Sequence, residues 1–462
     1  MKKNLQKKKH TFTFSAIALS LVTQFATAAN EAELEALRAK QAEIAAKPGN
    51  SVTDRTTPLS KAKQPLNTAE YYNITKDFSY WGVQMAGDYS VYYSRNMSQF
   101  MHTQMVMPAG EVAYLDRALD PRLNDLTFKS KDGKATRKLN DYLYNGSRKQ
   151  AMLMMHKGKV VFEAYPGMNP YDNHLWMSTA KTTVGLIFTQ LVAEGKVDLN
   201  EMTSKYVPSL QGSPWDNIPV WATATMSSGL DFEETMIKMV EPGSWINNFH
   251  HTFLGENKTP FIEQLRTAKP LPNEKPGDVF RYSSANPMVL QFICEAVENK
   301  PFGTLMQERV WQKGGFRNPL QLHLAPDGTG IGYGMVSTTP EDMLRYAMLY
   351  TPSWNKVASE PVVTEKMLTL IRSTARVKAY EGSHEQGYQT EWFGYSPKSN
   401  GIQWDAVFED GAMFKHGNMG QGIYVDPKRD FAAIVFSVED NHAGVDYAPG
   451  YMRAAAKLLA GE

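Results

Sequence analysis

Apolar residues follow two spacings along this chain, one typical of strands and one typical of helices. The run from Ala151 to Tyr165 (AMLMMHKGKVVFEAY) predicts a β-hairpin that turns at Lys157-Gly158-Lys159. A helical pattern then runs from Ser178 to about Glu194, and Gly195 suits the position just past its end. Short strand-like runs return near the C-terminus, at 412–416, 422–425 and 431–438, before a final helix at about 451–459.

Helical patterns lie between these strand regions. The stretches around Glu256 to Pro272 and Met306 to Phe316 predict an all-helical insertion between two parts of a sheet. A further helix is expected from Pro340, because proline suits the first helical turn and apolar residues follow at helical spacing. This order predicts an α+β fold: an antiparallel sheet flanked by helices, plus an all-helical subdomain.

The first residues have the pattern of an export signal. Several lysines precede an apolar stretch from Phe12 to Phe25, and Ala26-Thr27-Ala28 fits a small-x-small cleavage pattern. The apolar stretch is short for a membrane span of about 20 residues, so cleavage before Ala29 is favoured over an uncleaved anchor. The predicted location is therefore periplasmic or secreted, in a bacterium, with no integral membrane segment after cleavage.

The composition has no strong charge bias. The formal net charge is +1, with 42% hydrophobic and 11% aromatic residues, so nothing indicates a nucleic-acid partner. The single cysteine, Cys294, lies in an apolar helical pattern and is predicted to be a core residue. No Cys/His cluster has metal-ligand spacing. We therefore expect no metal and no other cofactor.

The first candidate for chemistry is Ser178 with Lys181, in HLWMSTAKTTVGL. Positions three apart share one face of a helix, so the lysine amine is expected beside the serine hydroxyl. A serine becomes a nucleophile when a neighbouring base takes its proton. Lysine can be such a base only if its pKa is lowered. Burial against Trp176 and Leu186 is expected to lower it, because burial disfavours the charged amine.

Two further motifs follow at a distance. Tyr282, in RYSSAN, is either a core tyrosine or a second base whose phenol pKa is lowered by nearby cations. Phe414 to Gly422 (FKHGNMGQG) joins two strands, and its glycines allow close approach of the backbone to a substrate. The alternative for Phe414 to Gly422 is a plain glycine-rich hairpin with no functional role.

Taken together, the order of these three motifs resembles the serine β-lactamase and penicillin-binding protein superfamily. The chain most resembles the branch of class C β-lactamases, carboxylesterases and 6-aminohexanoate-dimer hydrolases. Supporting stretches include KVVFEAY, MSSGLDF, GMVSTTPEDMLRYAML and GIYVDP. The resemblance covers about 139 to 460 and implies a β-lactamase/transpeptidase-like fold. The implied organisation is a signal peptide (1–28), a helix and linker (29–68), an N-terminal extension of unknown structure (69–138) and the hydrolase domain (139–462).

The resemblance also implies roles. Ser178 would be the nucleophile, Lys181 its base and Tyr282 a second base and proton shuttle. The oxyanion would be held by the N–H of Ser178 and one from the strand after His416. Substrate contacts are assigned to four residues of the second and third motifs, Ser284, Asn286, His416 and Gly417.

Two positions depart from the family pattern. Ser284 stands where the family usually has Asn, with Asn286 two residues further on. The third motif aligns in two ways, with either Lys415 or His416 in the place of the family's lysine, and the second alignment is favoured. Both departures count against an efficient β-lactamase.

The predicted function is therefore an exported serine hydrolase that cleaves an amide or ester through an acyl-enzyme on Ser178, with a small ester, amide or peptide as substrate. A D,D-peptidase or true β-lactamase is the first alternative. A non-catalytic penicillin-recognising binding protein is the second, and the intact set of Ser178, Lys181 and Tyr282 counts against it.

Export gives a first testable prediction. N-terminal sequencing of the protein from the envelope or medium of the native bacterium should find a chain that begins near Ala29, because the cleavage pattern ends at Ala28. A chain that retains Met1 and sediments with membranes would contradict cleavage.

Overall fold

The computed structural model describes residues 63–462 except 146–147 and 440–445, together with a few isolated positions between 39 and 46. The predicted signal peptide and most of the predicted linker lie outside these residues. Within the described part, no helix is long and apolar enough to cross a membrane.

The strands form two antiparallel sheets. A four-stranded sheet has the order β1-β5-β6-β4, and a six-stranded sheet has the order β3-β2-β10-β9-β8-β7. The strands are β1 (Thr103–Val106), β2 (Lys149–His156), β3 (Lys159–Ala164), β4 (His174–Leu175), β5 (Leu320–His323), β6 (Val336–Thr338), β7 (Ala406–Val407), β8 (Met413–Gly417), β9 (Gln421–Asp426) and β10 (Phe431–Ser437).

Both faces of the six-stranded sheet are buried. Along β2, Leu153 and Met155 join one hydrophobic core, while Met152 and Met154 join a second core on the opposite face. Successive side chains of a strand point to opposite faces, so a strand covered on both sides is an unbroken apolar run. This is why AMLMM lacks the alternation of a half-exposed strand.

Helices cover these sheets and form a separate helical part between β4 and β5. They are α1 (Thr68–Lys76), α2 (Tyr80–Gln84), α3 (Asp88–Asn96), α4 (Leu139–Tyr144), α5 (Lys181–Ala193), α6 (Thr203–Tyr206), α7 (Val220–Ala224), α8 (Met236–Val240), α9 (Trp245–Thr252), α10 (Phe261–Arg266), α11 (Ala285–Glu298), α12 (Phe302–Met306), α13 (Pro340–Met348), α14 (Glu365–Ser373), α15 (Val377–Tyr380), α16 (His384–Phe393) and α17 (Ala448–Ala460).

Helix α5 is the central helix of the molecule. Every residue from Lys181 to Leu191 is buried, so the helix has no solvent face. A helix that is apolar all round is a core helix. Its polar threonines are satisfied internally, since the Thr182 and Thr183 hydroxyls donate to backbone carbonyls three residues earlier, at 2.7 and 2.8 Å. The first turn of α5 is therefore fixed by packing on all sides.

The N-terminal segment packs into the same core. Ile74, Tyr80 and Val83 are buried there, and β1 pairs with β5 through Thr103–His323 to Val106–Leu320. Sequence patterns assigned no structure to this extension. Its aromatic residues turn out to form a cluster in which Tyr93 meets Phe78 and Phe100 edge to face.

The predicted α+β fold is confirmed. The hairpin of β2 and β3, the helix from Pro340 and the C-terminal strands lie where their patterns place them, and Cys294 is buried. The predicted helix around 256–272 is shorter, at Phe261–Arg266, with Pro260 at its N-cap and with Pro270 and Pro272 in the non-helical segment that follows. The helix expected over 306–316 is only a turn at Gln307–Trp311 that extends α12, and Gly314-Gly315 follow it.

Candidate active site

A strained turn places Ser178 at the start of α5. Strand β4 pairs with β6, and Trp176 is held by its N–H to the Val336 carbonyl at 2.7 Å and by its indole N–H to the Thr338 hydroxyl at 2.8 Å. Met177 then takes a left-handed conformation, with φ of 48°. Non-glycine residues rarely adopt this conformation, and such strain clusters at functional sites. Ser178 follows in a short 3-10 turn that leads into α5.

Lys181 lies directly beside the candidate nucleophile. Its Nζ is 2.8 Å from Ser178 Oγ, 2.9 Å from Ser284 Oγ and 3.2 Å from the Tyr333 carbonyl oxygen. These three oxygens are uncharged, and the lysine is fully buried. Burial without a contacting carboxylate lowers the pKa of Lys181 to about 7. The amine can therefore exist in its neutral, basic form near neutral pH.

Glu234 supports this arrangement from behind. Its carboxylate accepts the Ser284 N–H, and its own N–H donates to the Tyr282 carbonyl at 2.8 Å. Burial alone would raise the pKa of Glu234, but His250 at 3.3 Å, Lys181 and the Ser284 N–H together lower it to about 2. An ionised carboxylate thus fixes the backbone that carries Ser284.

Tyr282 lies between two lysines. Lys415 Nζ is 2.9 Å from the Tyr282 oxygen, and the ring centroid is 5.2 Å from Lys181 Nζ. Asp405 holds Lys415 at 2.7 Å through both carboxylate oxygens. The expected lowering of the phenol pKa is wrong, because burial and the carboxylates of Asp405 and Glu234 raise the pKa of Tyr282 well above 10. The hydrogen bond with Ser178 lowers this pKa only in part, so Tyr282 is a neutral phenol.

The glycine of the third motif lies against the nucleophile. A Cβ on Gly417 would lie 2.8 Å from the Trp176 carbonyl oxygen and 3.0 Å from the Ser178 nitrogen. Such contacts are too close for any side chain, so the close approach of β8 to the turn requires glycine here. Asn418, the next residue, lines the same cavity as Ser178.

Two of the predicted substrate-contact residues, Asn286 and His416, do not line this cavity. Asn286 is fully buried in the first turn of α11, two positions after Ser284. Residues two apart on a helix do not share a face, which explains why only Ser284 reaches Lys181.

His416 is the second correction. Adjacent residues of a strand point to opposite faces, so Lys415 faces Tyr282 whereas His416 faces Trp392, with ring centroids 4.3 Å apart. The favoured alignment, with His416 in the lysine's place, is therefore wrong, and Lys415 is the residue beside the tyrosine.

The cavity over Ser178 has walls that the sequence did not indicate. Residues from separate parts of the chain line it: Tyr80, Gln84, Met177, Ser178, Glu234, Met239, His250, Phe253, Ser284, Tyr333, Gly334, Met335 and Asn418. The alternation of side chains along β8 was the sequence feature that could have identified Lys415 as the residue facing Tyr282. A buried lysine also requires a carboxylate partner, which here is Asp405. In the described part of the chain, no cluster of His, Cys, Asp or Glu is arranged to hold a metal ion.

A family model described as beta-lactamase matches residues 146–457. The chain belongs to the beta-lactamase family. It is a serine hydrolase of that family, and the family resemblance stated from the three motifs is confirmed.

Relatives in this family include proteins named as 6-aminohexanoate-dimer hydrolases. The 6-aminohexanoate-dimer hydrolase of Paenarthrobacter ureafaciens is 25% identical over 297 residues, which are 62% of this chain and 72% of the relative. A Bacillus anthracis structure assigned as a 6-aminohexanoate-dimer hydrolase has a TM-score of 0.62 at 21% identity, covering 81% of this chain and 95% of that one. A Bacteroides dorei structure assigned as a beta-lactamase has a TM-score of 0.51 at 15% identity, covering 70% and 96%. The two structures share the fold.

The lowered pKa of Lys181 gives a pH prediction. The kcat/KM for a neutral ester should rise with pH and level off above about 7, because Lys181 must be neutral to accept a proton. Below that pH the rate should fall roughly tenfold per unit, as expected for one proton. In Tyr282→Phe the rate should drop by a factor of about 100 or more. Its pH profile should still bend near 7, because the pKa of the tyrosine lies far above that value. A profile of Tyr282→Phe without this bend would contradict the assignment of the bend to Lys181.

Proposed function

We propose that this serine hydrolase cleaves an amide or ester bond of a small molecule through an acyl-enzyme on Ser178. The observation that carries the proposal is the buried Lys181 amine, 2.8 Å from the Ser178 hydroxyl and surrounded by uncharged oxygens. A neutral amine at this distance is within reach for general-base catalysis. We also propose that the chain is exported, on the strength of the pattern in residues 1–28.

In the first step Ser178 Oγ attacks the substrate carbonyl carbon while Lys181 takes the hydroxyl proton. The tetrahedral oxyanion is held by the N–H of Ser178 and the N–H of the Gly417–Asn418 peptide, which the close approach of Gly417 supports. Collapse of the intermediate breaks the bond to the leaving group and forms the serine ester. Water then attacks this ester, and the same groups return the proton to Ser178.

Tyr282 acts here as a proton donor. Its pKa is raised well above 10, so it starts as a phenol, and Lys415 at 2.9 Å stabilises the charge that develops when the proton leaves. The phenol gives its proton to the departing amine or alcohol and recovers one from Lys181. Tyr282 therefore acts first as a proton donor, and not as a tyrosinate that accepts a proton from Ser178. An amine leaving group needs such a donor more than a nitrophenolate does, since amines leave only after protonation.

Charge in the cavity favours substrates without a carboxylate. Lys415 is fully buried and its charge is offset by Asp405 at 2.7 Å, while Glu234 adds an ionised carboxylate beside Ser284. β-Lactams and D-Ala-D-Ala peptides both carry a carboxylate, which this balance repels. An amidase or esterase is therefore favoured over a D,D-peptidase or β-lactamase, and the named 6-aminohexanoate-dimer hydrolase relative supports amide chemistry. The close Ser178–Lys181 contact argues against a non-catalytic binding protein.

The nucleophile can be tested directly. A fluorophosphonate probe should label the wild-type protein at Ser178, because the probe reacts with an activated serine hydroxyl. Ser178→Ala should remain unlabelled, and peptide mapping identifies the modified residue. Ser284→Ala is the matched control, since Ser284 also contacts Lys181 but is expected to keep labelling at Ser178. Labelling of Ser284 in the wild-type protein would contradict the proposal.

Substrate charge can be tested with matched esters. The kcat/KM for p-nitrophenyl butyrate should exceed that for p-nitrophenyl hemisuccinate, which has the same leaving group and an acyl carboxylate. Nitrocefin, also anionic, should be turned over far more slowly than the butyrate. The physical reason is that the cavity offers no unpaired cation among the described residues. A preference for nitrocefin would restore the β-lactamase alternative.

A further inference from the structure

The N-terminal segment reaches the catalytic centre although it precedes the matched family domain. Residues 63–138 lie outside 146–457, yet Tyr80 and Gln84 of α2 line the cavity beside Ser178. Strand pairing alone would not bring α2 there, since β1 joins the far edge of the four-stranded sheet. Other contacts therefore hold α2 beside Ser178.

Gln84 contacts both sides of the candidate oxyanion position. Its side-chain oxygen accepts Asn418 Nδ2 at 2.6 Å, and its backbone oxygen accepts the same group at 3.3 Å. Its side-chain nitrogen lies 3.9 Å from Met177 Sδ. Met177 precedes the nucleophile, and Asn418 follows Gly417. One side chain thus joins the two segments that carry the proposed oxyanion donors.

Asn418 is otherwise held by its own loop. Its side-chain oxygen accepts the Met419 N–H at 2.9 Å, and its carbonyl accepts Gln421 Nε2 at 3.1 Å. Met419 has a left-handed φ of 63°, so this turn is strained. The loop thus holds the side-chain oxygen of Asn418, and Gln84 holds its side-chain nitrogen.

Helix α2 is itself firmly anchored. Ser79 caps it by accepting the Gly82 N–H, and the buried Ser90 hydroxyl donates to the Gly82 carbonyl at 2.7 Å. The Tyr80 N–H donates to Glu256 of the helical part at 3.2 Å. The helix therefore presents Gln84 from a fixed support, as a positioning residue requires.

We propose that Gln84 is a positioning residue for the oxyanion site, supplied by the N-terminal segment, which acts by fixing Asn418 and hence the Gly417–Asn418 peptide. The inference rests on the proposed function, because it takes that N–H as an oxyanion donor. Such a donor acts on the transition state more than on the bound substrate. Loss of its support should therefore lower kcat and leave KM nearly unchanged.

The test is Gln84→Met, which keeps the side-chain length and removes the side-chain hydrogen bond to Asn418 Nδ2, while the longer contact with the backbone oxygen of residue 84 stays. For p-nitrophenyl butyrate we expect kcat to fall about tenfold, less than the hundredfold or more that loss of an oxyanion donor costs. KM should change less than about twofold. Gln99→Met is the matched control, since Gln99 is an exposed glutamine of the same segment and pairs only with Tyr92 and Asn96 in the described contacts. Its kcat should equal that of the wild type.

A double-mutant cycle shows whether Gln84 acts through Asn418. Asn418→Ala should also lower kcat, and adding Gln84→Met to it should cost less than about twofold more. Independent, multiplicative losses would overturn the proposal, as would a rise in KM at constant kcat, which is the result for a simple cavity wall. Labelling of Ser178 by the fluorophosphonate should persist in every variant. Its absence from the wild-type protein would instead be a failure of the proposed function.

Discussion

The site depends on one unusual burial, that of the Lys181 amine among uncharged oxygens. Three lysines are fully buried in the described part of the chain, and the other two are paired with carboxylates. Lys149 contacts Asp446 and Glu439 at 2.9 Å each, and Lys415 contacts Asp405 at 2.7 Å. Burying an ionised amine without a partner is costly, so Lys181 loses its proton more readily instead. The same fold thus pairs two buried lysines with carboxylates and leaves one, the candidate base, among uncharged oxygens.

The surrounding charges keep that balance. Ser284 lies between Lys181 and an ionised carboxylate, because its backbone N–H donates to Glu234 and its hydroxyl contacts Lys181. A direct ion pair with Glu234 would raise the pKa of the lysine and remove its basicity. Ser284, between the two groups, fixes the geometry without a direct ion pair. The serine in place of the family's usual Asn therefore contacts the candidate base and also lines the cavity.

The catalytic core was readable from sequence because local geometry determines it. Ser178 and Lys181 are three residues apart at a helix start, and no tertiary knowledge is needed to place them together. The alternation of a strand also determines that Lys415 and His416 face opposite ways, so only one of them can lie beside Tyr282. The pKa of Tyr282 was not readable in this way, because its direction depends on burial and on Asp405 and Glu234, which are distant in sequence. Cations near a phenol lower its pKa only if carboxylates do not offset them.

Much of the cavity wall comes from other segments than those that carry the candidate catalytic residues. The candidate nucleophile, the candidate base and Tyr282 are buried or lie beside buried residues of the matched domain, where packing leaves little freedom. The walls of the cavity come from the N-terminal segment, through Tyr80 and Gln84, and from the helical part, through Met239 and Phe253. None of these four wall residues belongs to the three motifs, since they reach the site only through the tertiary fold. A family match therefore identifies the reaction type more securely than the substrate, and the residues that distinguish this hydrolase from its relatives are to be sought in those walls.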